Sequence, residues 1–323
     1  SVIVLGVSAL AVGNSAYEAG NLAGGALGLE ALVGSFGISH KLIVLVLSAV
    51  SGGFLLFGHY RHIEKLLISL VLLMSVAFAG SVLITRPDMS AWFGGLWPTV
   101  PDSGLLTAIA LIGTTIVPYN LFLHASTVRD KWPDRSATAL RAARTDTAIS
   151  IGLGGIVSIL VLSTAAASLF GSGIAVSSAA DMASSIEPAY GPFAKYLVGV
   201  GLFGAGLSSS ITAPLATSYA LSEFGGFPRN GRVFRGIALT VLIVGTAVAL
   251  LGVRPISIIL FAQIANGLIL PIIAVFLLIA MNRRGLLGDH VNSWLTNLLG
   301  MAVVVITFGL GLRLILRALN VWS

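Results

Sequence analysis

Between Leu105 and Ala125 the chain runs apolar, and Gly113-Thr114-Thr115-Ile116-Val117-Pro118-Tyr119-Asn120 interrupts that run. Proline has no backbone N–H to donate and clashes with the preceding turn, so a helix across this stretch is expected to break at Pro118. A break releases main-chain carbonyls. These are the carbonyls of Thr114 and its neighbours, and beside them stand the Thr115 hydroxyl and the side chains of Tyr119 and Asn120. In lipid, broken backbone is tolerated only where it is buried in protein or lines a wet cavity, and such half-helix ends hold ions and substrates in transporters. A plain proline kink packed against its neighbours is the competing reading.

A second polar element is Gln263-Ile264-Ala265-Asn266-Gly267, upstream of Pro271. Gln263 and Asn266 are three residues apart and share a helix face. Their amides offer neutral carbonyl oxygens to a cation, or hydrogen-bond a neighbouring helix. The third element, Asn14 to Asn21 with Glu18 inside it, is rich in small residues and reads as a site of close helix packing. Glu30 fits a helix end. His124, alone near a helix end, reads as a structural hydrogen-bonder. No acid and base pair, activated nucleophile or histidine cluster falls inside the apolar runs, so an enzyme is not expected.

These residues sit in a chain of 323 residues, 56% hydrophobic and 9% charged, with a mean hydropathy of +1.00. Soluble domains carry about a quarter charged residues, so the expectation is an all-α, multi-pass membrane protein. Spans need about 20 residues each, and the apolar runs give about nine: Val2–Val33, Leu42–Gly58, Leu66–Thr85, the broken Leu105–Ala125, Thr147–Phe170, Tyr196–Ser222, one ending near Leu251, Ile256–Ala280 and Trp294–Leu316. One transmembrane domain, 1–323, accounts for the whole sequence. The connection from Arg86 to Asp102, holding Trp92 and Trp97, reads as an interfacial loop, and 171–195 as a loop poor in positive charge.

The net charge of +6 reports orientation rather than nucleic-acid binding. The basic connections hold Arg61 and Lys65, Arg129 through Arg135 to Arg144, Arg229 to Arg235, and Arg283 with Arg284, in regular alternation with poorer ones. By the positive-inside rule the first residue lies on the cytoplasmic side of the cell membrane and the C-terminus outside. The sequence opens at Ser1 directly within an apolar run, which reads as a fragment. Cysteine is absent, so disulfides and thiolate metal sites are excluded.

The stretch from Ala110 to His124, ALIGTTIVPYNLFLH, resembles the sixth-helix signature of the natural resistance-associated macrophage protein (Nramp) divalent-metal transporters, ALIGATVMPHNLYLH. Gly204-Ala205-Gly206-Leu207-Ser208-Ser209-Ser210-Ile211-Thr212 resembles the family's eighth-helix AxGxSSTxT segment, Gln263 falls on its tenth-helix Gln, and Arg232 and Arg235 resemble the basic opening of its ninth helix. The resemblance covers nearly the whole chain as family helices three to eleven. It implies an inverted-repeat fold shared with sodium-coupled amino-acid symporters, a metal held between broken helices one and six, and site residues Thr114, Thr115, Val117, Tyr119, Asn120, Gln263 and Asn266. Helices one and two, with the family's Asp-Pro-Gly-Asn motif, are absent from this sequence.

Departures refine that implication. Val117 stands where the family has a metal-ligating Met, which removes the soft ligand that favours transition metals. Oxygen-only ligation favours magnesium, with its retained waters, or manganese. Tyr119 replaces the sixth-helix His, and Asn14 and Tyr17 stand where the third helix carries proton-relaying carboxylates. Neither Asn nor Tyr relays protons near neutral pH. The pattern resembles the Nramp-related magnesium transporter branch. It implies alternating-access transport of Mg2+ and Mn2+ as substrates across the lipid bilayer, with no cofactor and without proton coupling; a monomer is expected, though the sequence does not set the oligomeric state. Alternatives are a proton-coupled transition-metal transporter, an organic-solute transporter of the same fold, and a non-transporting membrane sensor or scaffold.

Overall fold

A computed structural model gives the fold and describes residues 2–58, 61–95, 97, 99–100, 104–115, 117–134, 136–170, 172–174, 176–229 and 231–318. Ser1, His59, Tyr60, Pro101, Asp102, Ile116 and Arg135 lie outside that description, as do the side chains of Arg61, Pro118 and Tyr119. The elements are α1 (Val2–Val33), α2 (His40–Phe57), α3 (Arg61–Thr85), α4 (Met89–Gly94), α5 (Leu105–Thr115), α6 (Pro118–Lys131), α7 (Ala137–Leu169), α8 (Ala179–Ala183), α9 (Glu187–Tyr190), α10 (Ala194–Gly225), α11 (Arg232–Ala249), α12 (Pro255–Met281), α13 (Arg284–Leu287) and α14 (Trp294–Ala318). There is no strand among the described residues.

Seven of these helical stretches are long and apolar enough to cross a membrane: α2, α3, α7, α9 running on through α10, α11, α12 and α14. α1 has 32 residues, and α5 with α6 forms the interrupted stretch, so the nine expected runs are each helical. The outward faces agree with a lipid solvent. Leu72, Val76 and Leu83 on α3, Ile149, Ile151 and Leu153 on α7, Ile272 and Phe276 on α12, and Val305 and Phe308 on α14 are all exposed. Soluble monomers rarely show apolar surface on this scale. The protein is a multi-pass membrane protein.

Several boundaries differ from the expectation. α7 starts at Ala137 rather than near Thr147, because Ser136 caps it by accepting from Ala139 N at 3.2 Å. Arg141 and Arg144 therefore ride on helix, not in a loop. The 86–102 connection contains α4, capped by Asp88, and Trp92 Nε1 donates to Ser163 of α7 at 3.0 Å. The 171–195 connection holds α8, opened by a capping box between Ser178 and Asp181, and α9.

The chain divides into two compact units, residues 1–98 with 122–259, and residues 99–121 with 260–323. The first has its core where α1 crosses α10, α2 and α11, around Leu22, Val44, Ile211 and Leu242. Small residues permit the approach: a Cβ at Gly25 would lie 3.4 Å from Gly206 Cα, and one at Gly28 would lie 2.8 Å from Leu202 Cβ. Buried polar residues pair across the same crossing. Asn14 Nδ2 donates to Thr217 Oγ1 at 2.6 Å, and Ser51 and Ser210 hydroxyls meet at 2.6 Å. The Asn14–Asn21 patch is thus a packing surface. In the second unit, α14 packs on α5, and Arg313 Nη1 donates to Val100 O at 3.0 Å.

Candidate functional site

α5 ends at Thr115 and α6 begins at Pro118, so proline takes the first helical position, where a missing N–H costs nothing and its φ suits the start of a helix. Pro118 opens the second half-helix. The turn closes with Asn120 N donating to Val117 O at 3.0 Å.

At the other side of the gap, the final carbonyls of α5 lose their intrahelical donors. Thr114 Oγ1 donates to Leu111 O and Thr115 Oγ1 to Ile112 O, each at 2.7 Å. Both hydroxyl protons are therefore spent on the helix itself, and each hydroxyl oxygen keeps its lone pairs outward. Thr114, Thr115 and Asn120 are exposed, whereas Val117 is buried, with 2% of its surface accessible. The isopropyl group of Val117 has no donor atom, so a ligand role at this position falls to its carbonyl, already engaged by Asn120.

α12 meets this half-helix closely at two glycines, Gly113 and Gly267. A Cβ on Gly113 would collide with Gln263 O and lie 2.6 Å from Gly267 N, and a Cβ on Gly267 would collide with Ile109 O and lie 2.8 Å from Ile109 Cγ2. Pro271 follows Gly267 by one helical turn, so the Gly267 carbonyl has no i+4 N–H to accept from.

Gln263 and Asn266 lie on the buried face of α12, as their spacing predicts. Gln263 Oε1 and Asn266 Nδ2 are buried without a hydrogen-bond partner among the described residues. Orphaned buried amide atoms are costly and are expected to serve some ligand or water. Among the described residues no hydrogen bond joins these amides to Thr114, Thr115 or Asn120, and no group of three or more His, Asp or Glu side chains forms a metal cluster. The oxygen donors on hand are neutral: carbonyls, hydroxyls and amides. His124 Nε2 meets Thr147 Oγ1 at 3.2 Å, a structural bond. The Gly113–Gly267 approach is a feature that the sequence carried only as two glycines in separate apolar runs.

Comparison with known proteins places this geometry. Residues 1–317 match the family model described as natural resistance-associated macrophage protein-like, Nramp. Among curated relatives, a divalent metal cation transporter MntH of Deinococcus radiodurans is 29% identical over 259 residues, covering 77% of this chain and 58% of that protein. The MntH of Caldanaerobacter subterraneus is 25% identical over 268 residues, covering 80% and 62%, and that of Pectobacterium carotovorum is 26% identical over 303 residues, covering 92% and 72%. The chain thus spans about three fifths of the length of the first two. A crystal structure of a manganese transporter from Eremococcus coleocola superposes with a TM-score of 0.75 at 20% identity, over 96% of this chain and 70% of that one, which establishes a shared fold. With its sixth-helix signature broken at Pro118 and its family match running from end to end, the chain belongs to the Nramp family.

Proposed function

We propose that this chain is the transmembrane domain, 1–323, of a transporter that moves divalent cations, Mg2+ with Mn2+, by alternating access and without proton coupling. The observation that carries the reading is Gln263 Oε1, a buried carbonyl oxygen with no partner among the described residues, one helix crossing from the end of α5. The Thr114 carbonyl, the amide oxygens of Gln263 and Asn266, and the hydroxyl of Thr115 would bind the ion, with Tyr119 and Asn120 at the start of α6. Its relatives named as divalent metal cation transporters support the substrate class. The all-oxygen donor set and Val117 in place of a thioether support a hard ion.

An inside-negative potential supplies about 2.3 kcal/mol per charge per 100 mV, twice that for a dication, so uptake needs no second ion. The loop charges put the first residue on the cytoplasmic side and the C-terminus outside. The proposed working unit is a monomer.

The test is magnesium and manganese uptake by the full-length parent protein in proteoliposomes, followed with a metal indicator and an internal pH dye. Saturable entry without acidification, weakened by Gln263→Ala, is the expected result. Absence of flux in folded protein would overturn the reading. Glu18, a fully buried carboxylate on α1, is the observation that favours a second reading, proton-coupled transport, and acidification accompanying uptake would select it.

A further inference from the structure

Past Ala125, α6 has little apolar surface to bury: Val128 is half-buried, as are Leu121 and Leu123 nearer its start. Among its described side chains only Ser126 is buried, while Ala125, Thr127, Arg129, Asp130 and Lys131 are exposed. Helices in proteins draw most of their stability from packing an apolar face, so this one needs another attachment. That attachment is ionic. Glu223, in the last turn of α10, accepts from Arg129 Nη2 at 2.6 Å and Nη1 at 3.4 Å, and also pairs with Arg229 of the α10–α11 connection. Arg229 reaches both oxygens of Asp130, at 3.0 and 3.1 Å, and its guanidinium lies 5.4 Å from the centre of the Tyr219 ring. Tyr219 stands edge-on to Phe234 of α11 at 5.1 Å. On the other flank Lys131 pairs with Asp146 of α7 at 3.0 Å.

Between α6 and α10 lies a cavity of about 310 Å³ lined by Ala125, Ser126, Arg129, Ala220 and Glu223. The cavity is half open to the outside, and Arg129 and Glu223 meet at its charged rim. One exposed ion pair contributes little, but several charges sharing Glu223 and a half-buried Arg229 form a network that fixes geometry.

We propose that Glu223 is a positioning residue for transport. Through Arg129 and Arg229 it holds the charged end of α6, and thereby the first turn of the same helix, which carries Tyr119 and Asn120. The role in transport rests on the function proposed above; the ionic attachment does not.

The sequence has no cysteine, so Ser126→Cys places a single thiol on the cavity wall. The full chain in liposomes is labelled with a small water-soluble maleimide, and metal uptake is measured in parallel. Glu223→Gln is expected to raise the labelling rate about threefold or more, Glu223→Asp to stay near the parent, and Arg129→Gln with Glu223→Gln to add nothing beyond Glu223→Gln alone, as two changes to one network should. Higher salt should accelerate labelling of the parent more than that of Glu223→Gln, which keeps only the Asp130–Arg229 and Lys131–Asp146 pairs. In uptake, Glu223→Gln should change the maximal rate and leave the apparent metal affinity within about twofold, the mark of a residue acting away from the ion. If Glu223→Gln does not fold, Arg129→Gln alone carries the same tests. Unchanged labelling in a folded variant, or faster labelling with unchanged uptake, would overturn the proposal. Faster labelling in a parent that carries no metal would overturn the transport reading and uphold the attachment.

Discussion

Gly113 and Gly267 each occupy the space that the other's helix backbone requires. A methyl group on either would strike main chain, at Gln263 and Gly267 in one direction and at Ile109 in the other, and main chain cannot swing aside as a side-chain tip can. Gly113→Ala and Gly267→Ala are each expected to cost about 1–3 kcal/mol or more by overpacking. Thermal unfolding in detergent checks this, with Gly152→Ala as control. Gly152 has open space around its Cβ position, and alanine there should leave the midpoint unchanged or raise it.

Gln263 gives a prediction in which stability and binding move in opposite directions. Its orphaned Oε1 is a standing cost when no ion is present, so Gln263→Leu should hold or raise the melting temperature in chelator. The same change should remove a ligand. If a carbonyl–dication contact resembles a hydrogen bond to a charged group, about 1.5–3 kcal/mol is lost, roughly tenfold or more in affinity. Melting curves with and without magnesium measure both. A variant less stable in chelator and equally stabilised by metal would show that the side chain is only packing.

Asp181 shows how the short helix α8 responds to acid. Its carboxylate accepts from Ser177 N and Ser178 N at 2.9 Å and from Ser177 Oγ at 2.8 Å, and these bonds pull its pKa down to about 2. The folded value lies below the unfolded one, near 3.9, so the cap contributes fully above about pH 4 and is lost as pH falls through about 2. Carboxyl titration by NMR should find the midpoint near 2. Asp181→Asn should abolish the acid-dependent rise in amide exchange at α8. Asp88, which caps α4 through Ser90 and Ala91, is depressed in the same direction for the same reason.

Glu18 is buried against Gly245, where a Cβ would lie 2.6 Å from Glu18 Cγ, and its Oε2 accepts from Asn21 at 3.2 Å. Its other oxygen has no partner among the described residues. Glutamine has the same shape and can still accept from Asn21, so Glu18→Gln should leave the melting temperature within about 2 °C or raise it, which a differential scan would show. A large drop would mean that the carboxylate is paired in the membrane after all.

The spans were legible because lipid imposes a length: an apolar run of helix-spanning size has few other uses, and each one read from the sequence is helical. The break was legible because Pro118 punctuates an apolar run. Its extent was not, since whether proline ends one helix or begins the next depends on the turn that Asn120 closes on Val117. Ser136 ahead of Ala137, and Ser178 three residues before Asp181, were cap signals present in the sequence; the charges of Arg141 and Arg144 drew the boundary of α7 too late. The pairing of Glu223 with Arg129, 94 residues apart, and of Gly113 with Gln263 belongs to the tertiary fold, and no local pattern announces it.

The fourteen residues of α6 span about 21 Å at 1.5 Å per residue. A molecule that competed for Glu223 would therefore bind well clear of the break at Pro118. Its pharmacology would be that of a modulator: it would alter turnover without displacing the ion, and no excess of metal would reverse it.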